Sequence, residues 1–197
     1  MNKKTFVIHV LALSMLLLFV SPIMASRTRN TYTLALVGWT EVPGSDKLSA
    51  NKIIHTRGGI GNQIIYGSPW GDGTAESIGV MNFNIIYFTG TGLEHAIDSF
   101  TAGTFEGLVN YKITGFGIFT YDGPTFTYEG VEVEAGDQFS GILFSGIAVK
   151  HGTSGDLDGL QLRGNMYGVA VADIPDVWVN PPELVDNNLV YETGYYW

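Results

Sequence analysis

Gly103-Thr104-Phe105-Glu106-Gly107-Leu108 returns later in the chain as Gly155-Asp156-Leu157-Asp158-Gly159-Leu160, so both copies read Gly-x-apolar-acid-Gly-Leu. Two glycines bracketing one apolar and one acidic residue describe a tight turn feeding a strand. Glycine takes the positive-φ positions, and the carboxylate of Glu106 or Asp158 bonds nearby backbone N–H groups. On this reading Gly103, Glu106, Gly107, Gly155, Asp158 and Gly159 are structural turn residues. A repeated turn in a chain carrying 26 glycines argues for consecutive hairpins, hence an all-β fold.

Strand patterns extend on both sides of the repeat. Thr31 to Thr40 alternates and reads as a strand, and Asn51 to Arg57, Gln63 to Tyr66 and Ser77 to Thr89 read as further strands. Val42 to Ser49 and Gly67 to Gly73 read as loops, and Gly58 to Asn62 as a turn. Leu93 to Phe100 reads as a helical turn. Phe105 to Tyr121 and Thr125 to Glu134 are strands joined at Asp122-Gly123-Pro124; Phe139 to Lys150 and Leu157 to Ala172 are joined around His151 to Gly155. After Asp173 the composition shifts to a proline-bearing segment with one helical turn over Glu183 to Asn188. Leu189-x-Tyr191-x-Thr193-x-Tyr195-x-Trp197 then alternates like a strand that pairs at a seam. Regular glycine-punctuated strands point to a single closed or nearly closed antiparallel β-barrel of about eight strands, because closure removes exposed edges. The expected inward set is Met81, Phe83, Ile85, Tyr87, Tyr111, Ile113, Leu143, Ile147, Leu160 and Leu162.

Residues 1–25 stand apart from this domain. Lys3 and Lys4 precede an apolar run from Phe6 to Val20, and Pro22-Ile23-Met24-Ala25 offers a small-residue cleavage site, the signature of a secretory signal peptide. The expected barrel domain is residues 26–197, with an extended C-terminal segment from about 173, and no later run is long and apolar enough for a spanning helix. The expected location is secreted, periplasmic or cell-surface. Removing Lys3 and Lys4 takes the formal charge from −9 to −11, which disfavours nucleic acid as a partner. With no cysteine, thiol catalysis, disulfides and cysteine-ligated zinc are excluded.

Around the second repeat, Gly152-Thr153-Ser154-Gly155-Asp156-Leu157-Asp158-Gly159 resembles a glycine-rich hairpin of allene oxide cyclases. The likeness to dirigent proteins and related small bacterial barrels is looser. It covers about Thr101 to Val171. The resemblance implies an eight-stranded barrel able to hold an apolar molecule; it carries over no cyclase site, because no matching catalytic constellation is present.

Candidate chemistry is sparse. His151, Asp156 and Asp158 lie close in sequence, but Asp-Gly is what a tight turn requires and the later donors of a calcium loop are missing. Glu129, Glu132, Glu134 and Asp137 read as a solvent face, His55 and His95 sit in no catalytic motif, and Trp39, Trp70, Trp178 and Trp197 read as barrel-end plugs. No catalytic residue, metal or cofactor is assigned. The leading expectation is a non-catalytic barrel that binds a small apolar ligand, oriented by Tyr87 or Tyr111, or that serves a structural role at the surface. The alternatives are an isomerase or cyclase working in the lumen, which needs ionisable groups pointing inward, and a small outer-membrane barrel.

Overall fold

The computed structural model describes residues 28–41, 47–49, 52–54, 60–84, 88–173 and 178–197. Residues 1–25, expected to be a signal peptide, and His55, Ile85 and Tyr87 lie outside them. Every regular element among the described residues is a strand: β1 (Asn30–Glu41), β2 (Lys47–Ser49), β3 (Lys52–Ile54), β4 (Ile60–Tyr66), β5 (Gly73–Asn84), β6 (Thr89–Phe100), β7 (Gly103–Thr120), β8 (Phe126–Tyr128), β9 (Val131–Val133), β10 (Gln138–Gly155), β11 (Gln161–Val171) and β12 (Asn188–Tyr196). Eight of these form a ring in the order β1-β4-β5-β6-β7-β10-β11-β12 and back to β1, and all eight pairings are antiparallel. This is the expected closed antiparallel barrel, wound as an up-and-down meander. The short β2–β3 hairpin extends from the far part of β5, and β8–β9 is a separate hairpin.

The seam is made by the last strand. β12 pairs with β1 from Leu189↔Val37 to Tyr196↔Asn30 and with β11 on its other edge. The alternation over Leu189 to Trp197 therefore marks a true stave, but its aromatic face points outward. Leu189 and Tyr191 join a second apolar layer outside the barrel, in which Val133 and Leu184 are fully buried beside Ala35, Val37, Phe139 and Val169. The β8–β9 hairpin and the turns of Pro181–Asn187 supply this cover. Asn180 pins it, with its side chain accepting from the Ser140 N–H at 2.9 Å and donating to the Ala172 carbonyl at 3.0 Å.

Several expectations are corrected. Leu93 to Phe100 is strand β6: Ala96, Asp98 and Phe100 face inward and Leu93 and His95 outward, a period of two. Its acids at i and i+4 imitate a helix face because the lumen has a polar floor. Ile60–Asn62 belongs to β4 rather than to a turn, and part of the expected Val42–Ser49 loop is β2. Thr125 to Glu134 is a hairpin turning at Glu129-Gly130, not one strand. Glu183 to Asn188 holds turns without a helix. Leu143 packs in the outer layer and Ile147 is 44% exposed, because Phe144, Ala148 and Lys150 take the inward positions of β10.

The repeated phrase also divides. Gly155 and Gly159 have φ of 61° and 79° and flank the β10–β11 turn, which lies at Asp156–Gly159 rather than at His151–Gly155. Gly103, with φ 147°, pairs with Gly155, so the two copies lie side by side at one barrel end. Gly107, however, sits within β7 opposite Lys150, and Glu106 faces outward to His95, Oε1 to Nε2 2.9 Å, instead of capping a turn. A side chain on Gly107 would run into the Val149 carbonyl and the Lys150 Cα. Valine at Gly159, or at Gly71 with its φ of 87° and open surroundings, strains only the backbone, by about 1–3 kcal/mol. Gly107→Val should therefore lower the melting midpoint more than either; equal losses at all three sites would contradict this placement.

Candidate functional site

The lumen is built in three levels. At the end formed by the start of β1, the β6–β7 turn and the β10–β11 turn, Trp70 plugs the barrel. Its ring lies 4.8 to 5.5 Å, centroid to centroid, from those of Phe105, Tyr196, Tyr32 and Phe100. Leu157 drops from the β10–β11 turn into the same end and is buried. The plug reading of Trp70 holds, whereas Trp39 is 46% exposed.

Above the plug lies a charged floor. Lys150 Nζ is 2.5 Å from Asp98 Oδ2 and 3.4 Å from Glu192 Oε2, and all three side chains are 2% exposed or less. The Tyr32 hydroxyl donates to Glu192 Oε1 at 2.5 Å. Gly164 makes room for this pair, since a Cβ there would collide with the Tyr32 hydroxyl. Burial pulls the Lys150 ammonium toward neutrality, but Asp98 and Glu192 outweigh it and hold the lysine charged. Burial lifts the Asp98 carboxyl above its usual range; Lys150 pulls it back and Glu192 adds to the lift. Burial, and then the charge of Glu192 and its hydrogen bond, raise the Tyr32 phenol.

Beyond the floor opens a cavity of about 300 Å³, to which all eight staves contribute. Small side chains, Ala75, Ser77 and Ala96, create the space, and Met81, Phe83, Ile113, Ile142 and Phe144 form its apolar wall. The lining continues to Ala172 and Asp186 at the opposite barrel end, where Asp186 is exposed, so the mouth lies there. The bulge at Thr114 in β7 reverses the strand's alternation, so that Phe116 aligns with inward Ile142 while Phe119 joins the outer layer. Phe116 stands exposed beside Phe88 in an edge-to-face pair at 5.3 Å.

Tyr111 lines this cavity, and its ring stands over Gly92, where a Cβ would strike it. Its hydroxyl is buried and lies near Glu94 without a well-aligned hydrogen bond; burial, then the Glu94 carboxylate, raises the phenol. Glu94 is itself lifted above the ordinary carboxylate range by burial, against the pull of Tyr111, Ser77 and Lys150. Asp98 Oδ1 is buried with no hydrogen-bond partner. Among the described residues, then, one lysine faces the carboxylates of Glu94, Asp98 and Glu192 inside the lumen, with a fourth, Asp186, at the mouth.

The raised Glu94 carboxyl has a consequence for stability. An acid whose pKa rises on folding takes up protons as the chain folds, so its contribution is complete below its unfolded value, near 4.5, and is lost as pH climbs through the higher folded value. Glu94→Gln should remove that loss. As pH rises from about 4.5, the wild type should weaken more steeply than the variant in denaturant titrations; parallel curves would contradict the assignment.

The remaining sequence candidates do not assemble. His151, Asp156 and Asp158 are exposed, and no group of three His, Asp or Glu side chains among the described residues is placed to hold a metal ion. Glu129, Glu132 and Glu134 are solvent-exposed. Asp98, Lys150 and Glu192 escaped the sequence reading because single charges inside apolar strands pass for solvent-facing positions. The available signal was parity: Lys150 is in step with Phe144 and Ala148, and Glu192 with Val190. The site defines a class, an up-and-down barrel with one plugged end, a buried ion cluster and an apolar chamber open at the other end. The chain matches no protein-family model, no curated protein and no solved structure.

Proposed function

We propose that this chain is an exported barrel that binds a small, mostly apolar molecule in its lumen. The observation that carries this reading is the chamber itself: an apolar wall leading to buried polar atoms, Asp98 Oδ1 and the Tyr111 hydroxyl, that lack partners. Buried polar groups are ordinarily hydrogen-bonded, and an apolar pocket ending in a few convergent polar groups is the usual form of a ligand site. At about 30 Å³ per water the cavity has room for about ten heavy atoms. Export follows from the leader-like residues 1–25, and the hairpin resemblance to allene oxide cyclases and dirigent proteins agrees with a barrel that encloses apolar molecules.

A native mass spectrum of gently purified protein should show a bound species of that size, released on unfolding. Tyr111→Phe should weaken its binding by about 1–3 kcal/mol while leaving the fold intact. A spectrum of bare chain, together with no binding of any apolar probe, would remove the ligand reading and leave a structural barrel.

One observation favours a second reading, an isomerase or cyclase acting in the lumen. Glu94 is an inward carboxyl with a raised pKa beside a phenol, the setting of a general acid–base pair. Under that reading Glu94→Gln abolishes turnover but preserves binding. An outer-membrane barrel is disfavoured: its lumen would be polar and its outer face an apolar band. Here the lumen wall is largely aliphatic and aromatic, and the exposed apolar residues of the outside, Ile78, Val80, Leu93, Leu108 and Val149 among them, share that face with exposed Glu76, Asn110, Lys112 and Arg163.

A further inference from the structure

We infer that the molecule held in the lumen carries a cationic hydrogen-bond donor, a primary amine on a short apolar body, seated over Ala96 between Asp98 and Glu94. This rests on the reading of the lumen as a ligand chamber and goes on to name the ligand's chemistry.

Charge count and hydrogen-bond accounting agree on it. Four carboxylates line the chamber, Asp98, Glu94 and Glu192 inside it and Asp186 at its mouth, against the single ammonium of Lys150. That ammonium is already engaged by two of them, at 2.5 and 3.4 Å, so it is not free to receive an anionic head group. Asp98 Oδ1 is an acceptor on a side chain 2% exposed, it lines the cavity, and only a donor satisfies it. Asp98 and Glu94 lie four residues apart on β6, both facing inward, and Ala96 is the one inward residue of that strand between them. An ammonium in that gap meets carboxylates on both sides and the Tyr111 hydroxyl, whose oxygen accepts from its third N–H. Its alkyl chain then runs toward Phe83, Ile113 and Phe144 at the mouth. A buried charge is tolerated only when paired and hydrogen-bonded, and the gap offers both.

The test is calorimetric titration of the purified protein with a matched series, octylamine, 1-octanol and octanoate, near neutral pH. Octylamine should bind one-to-one and about tenfold or more tighter than 1-octanol, and octanoate should bind weakest. Glu94→Gln, checked for an unchanged fold by its melt, should lower octylamine affinity by about tenfold and leave 1-octanol unchanged; Asp98→Asn should do the same if it folds. Equal binding of amine and alcohol, or tightest binding of octanoate, would overturn the amine assignment while sustaining the ligand chamber. Unsaturable octylamine binding indifferent to Glu94→Gln would mark general attraction to an acidic surface and also overturn it. Failure of all three probes to bind would overturn both readings.

Discussion

Lys150→Met is expected to destabilise the protein by about 3–5 kcal/mol. The substitution leaves Asp98 and Glu192, both 2% exposed or less, buried without their cation. For a chain of this size the melting midpoint should fall by roughly 6–20 °C. The cause is uncompensated charge, so the loss should be reversible by removing the charges. Lys150→Met combined with Asp98→Leu, Glu192→Met and Tyr32→Phe should recover most of the stability, since replacing a whole buried ion network by apolar side chains of similar volume is often neutral. A single variant melting within about 2 °C of wild type would mean that the ion cluster does not form.

Ending the chain at Asn187 should abolish the cooperative fold altogether. The deletion removes β12, the stave that pairs with both β1 and β11 and supplies buried Leu189, Val190 and Glu192. It also opens two long strand edges to pairing with other chains. The expected result is an aggregating product with no sharp thermal transition in circular dichroism. A soluble truncated protein with a normal melt would show that the ring is not what holds the structure.

The same strand shows what could be read in the residues and what could not. A period of two over Leu189 to Trp197 identified a seam strand, because alternation follows directly from the pleat. Which face it turned inward was illegible. The Tyr191 face lies under an outer apolar layer, while the inner face carries Val190 and Glu192, so the apolar-in, polar-out rule is inverted there. β6 shows the converse failure: Leu93 to Phe100 reads as a helical turn, yet it is a strand whose Asp98 belongs to the charged floor and whose Glu94 lines the chamber above it. In β7 the bulge at Thr114 shifts the alternation midway, which no periodicity count across Phe105 to Tyr121 anticipates. Tyr111 was found because a large phenol in an alternating strand needs a buried place for its ring and a partner for its hydroxyl. Its setting, over Gly92 and beside Glu94, depends on pairings between distant strands.

The chamber itself is tested most directly by its two methionines. Met81 on β5 and Met166 on β11 line it from opposite sides of the ring, and the chain's other methionines, Met1, Met15 and Met24, fall in the leader-like segment. With methyl-¹³C methionine, and the two resonances assigned by single substitution to leucine, a titration with octylamine or 1-octanol should move both methyl signals along one saturable curve. Methyl signals that stay fixed while the probe is raised to its solubility limit would contradict a ligand-binding lumen.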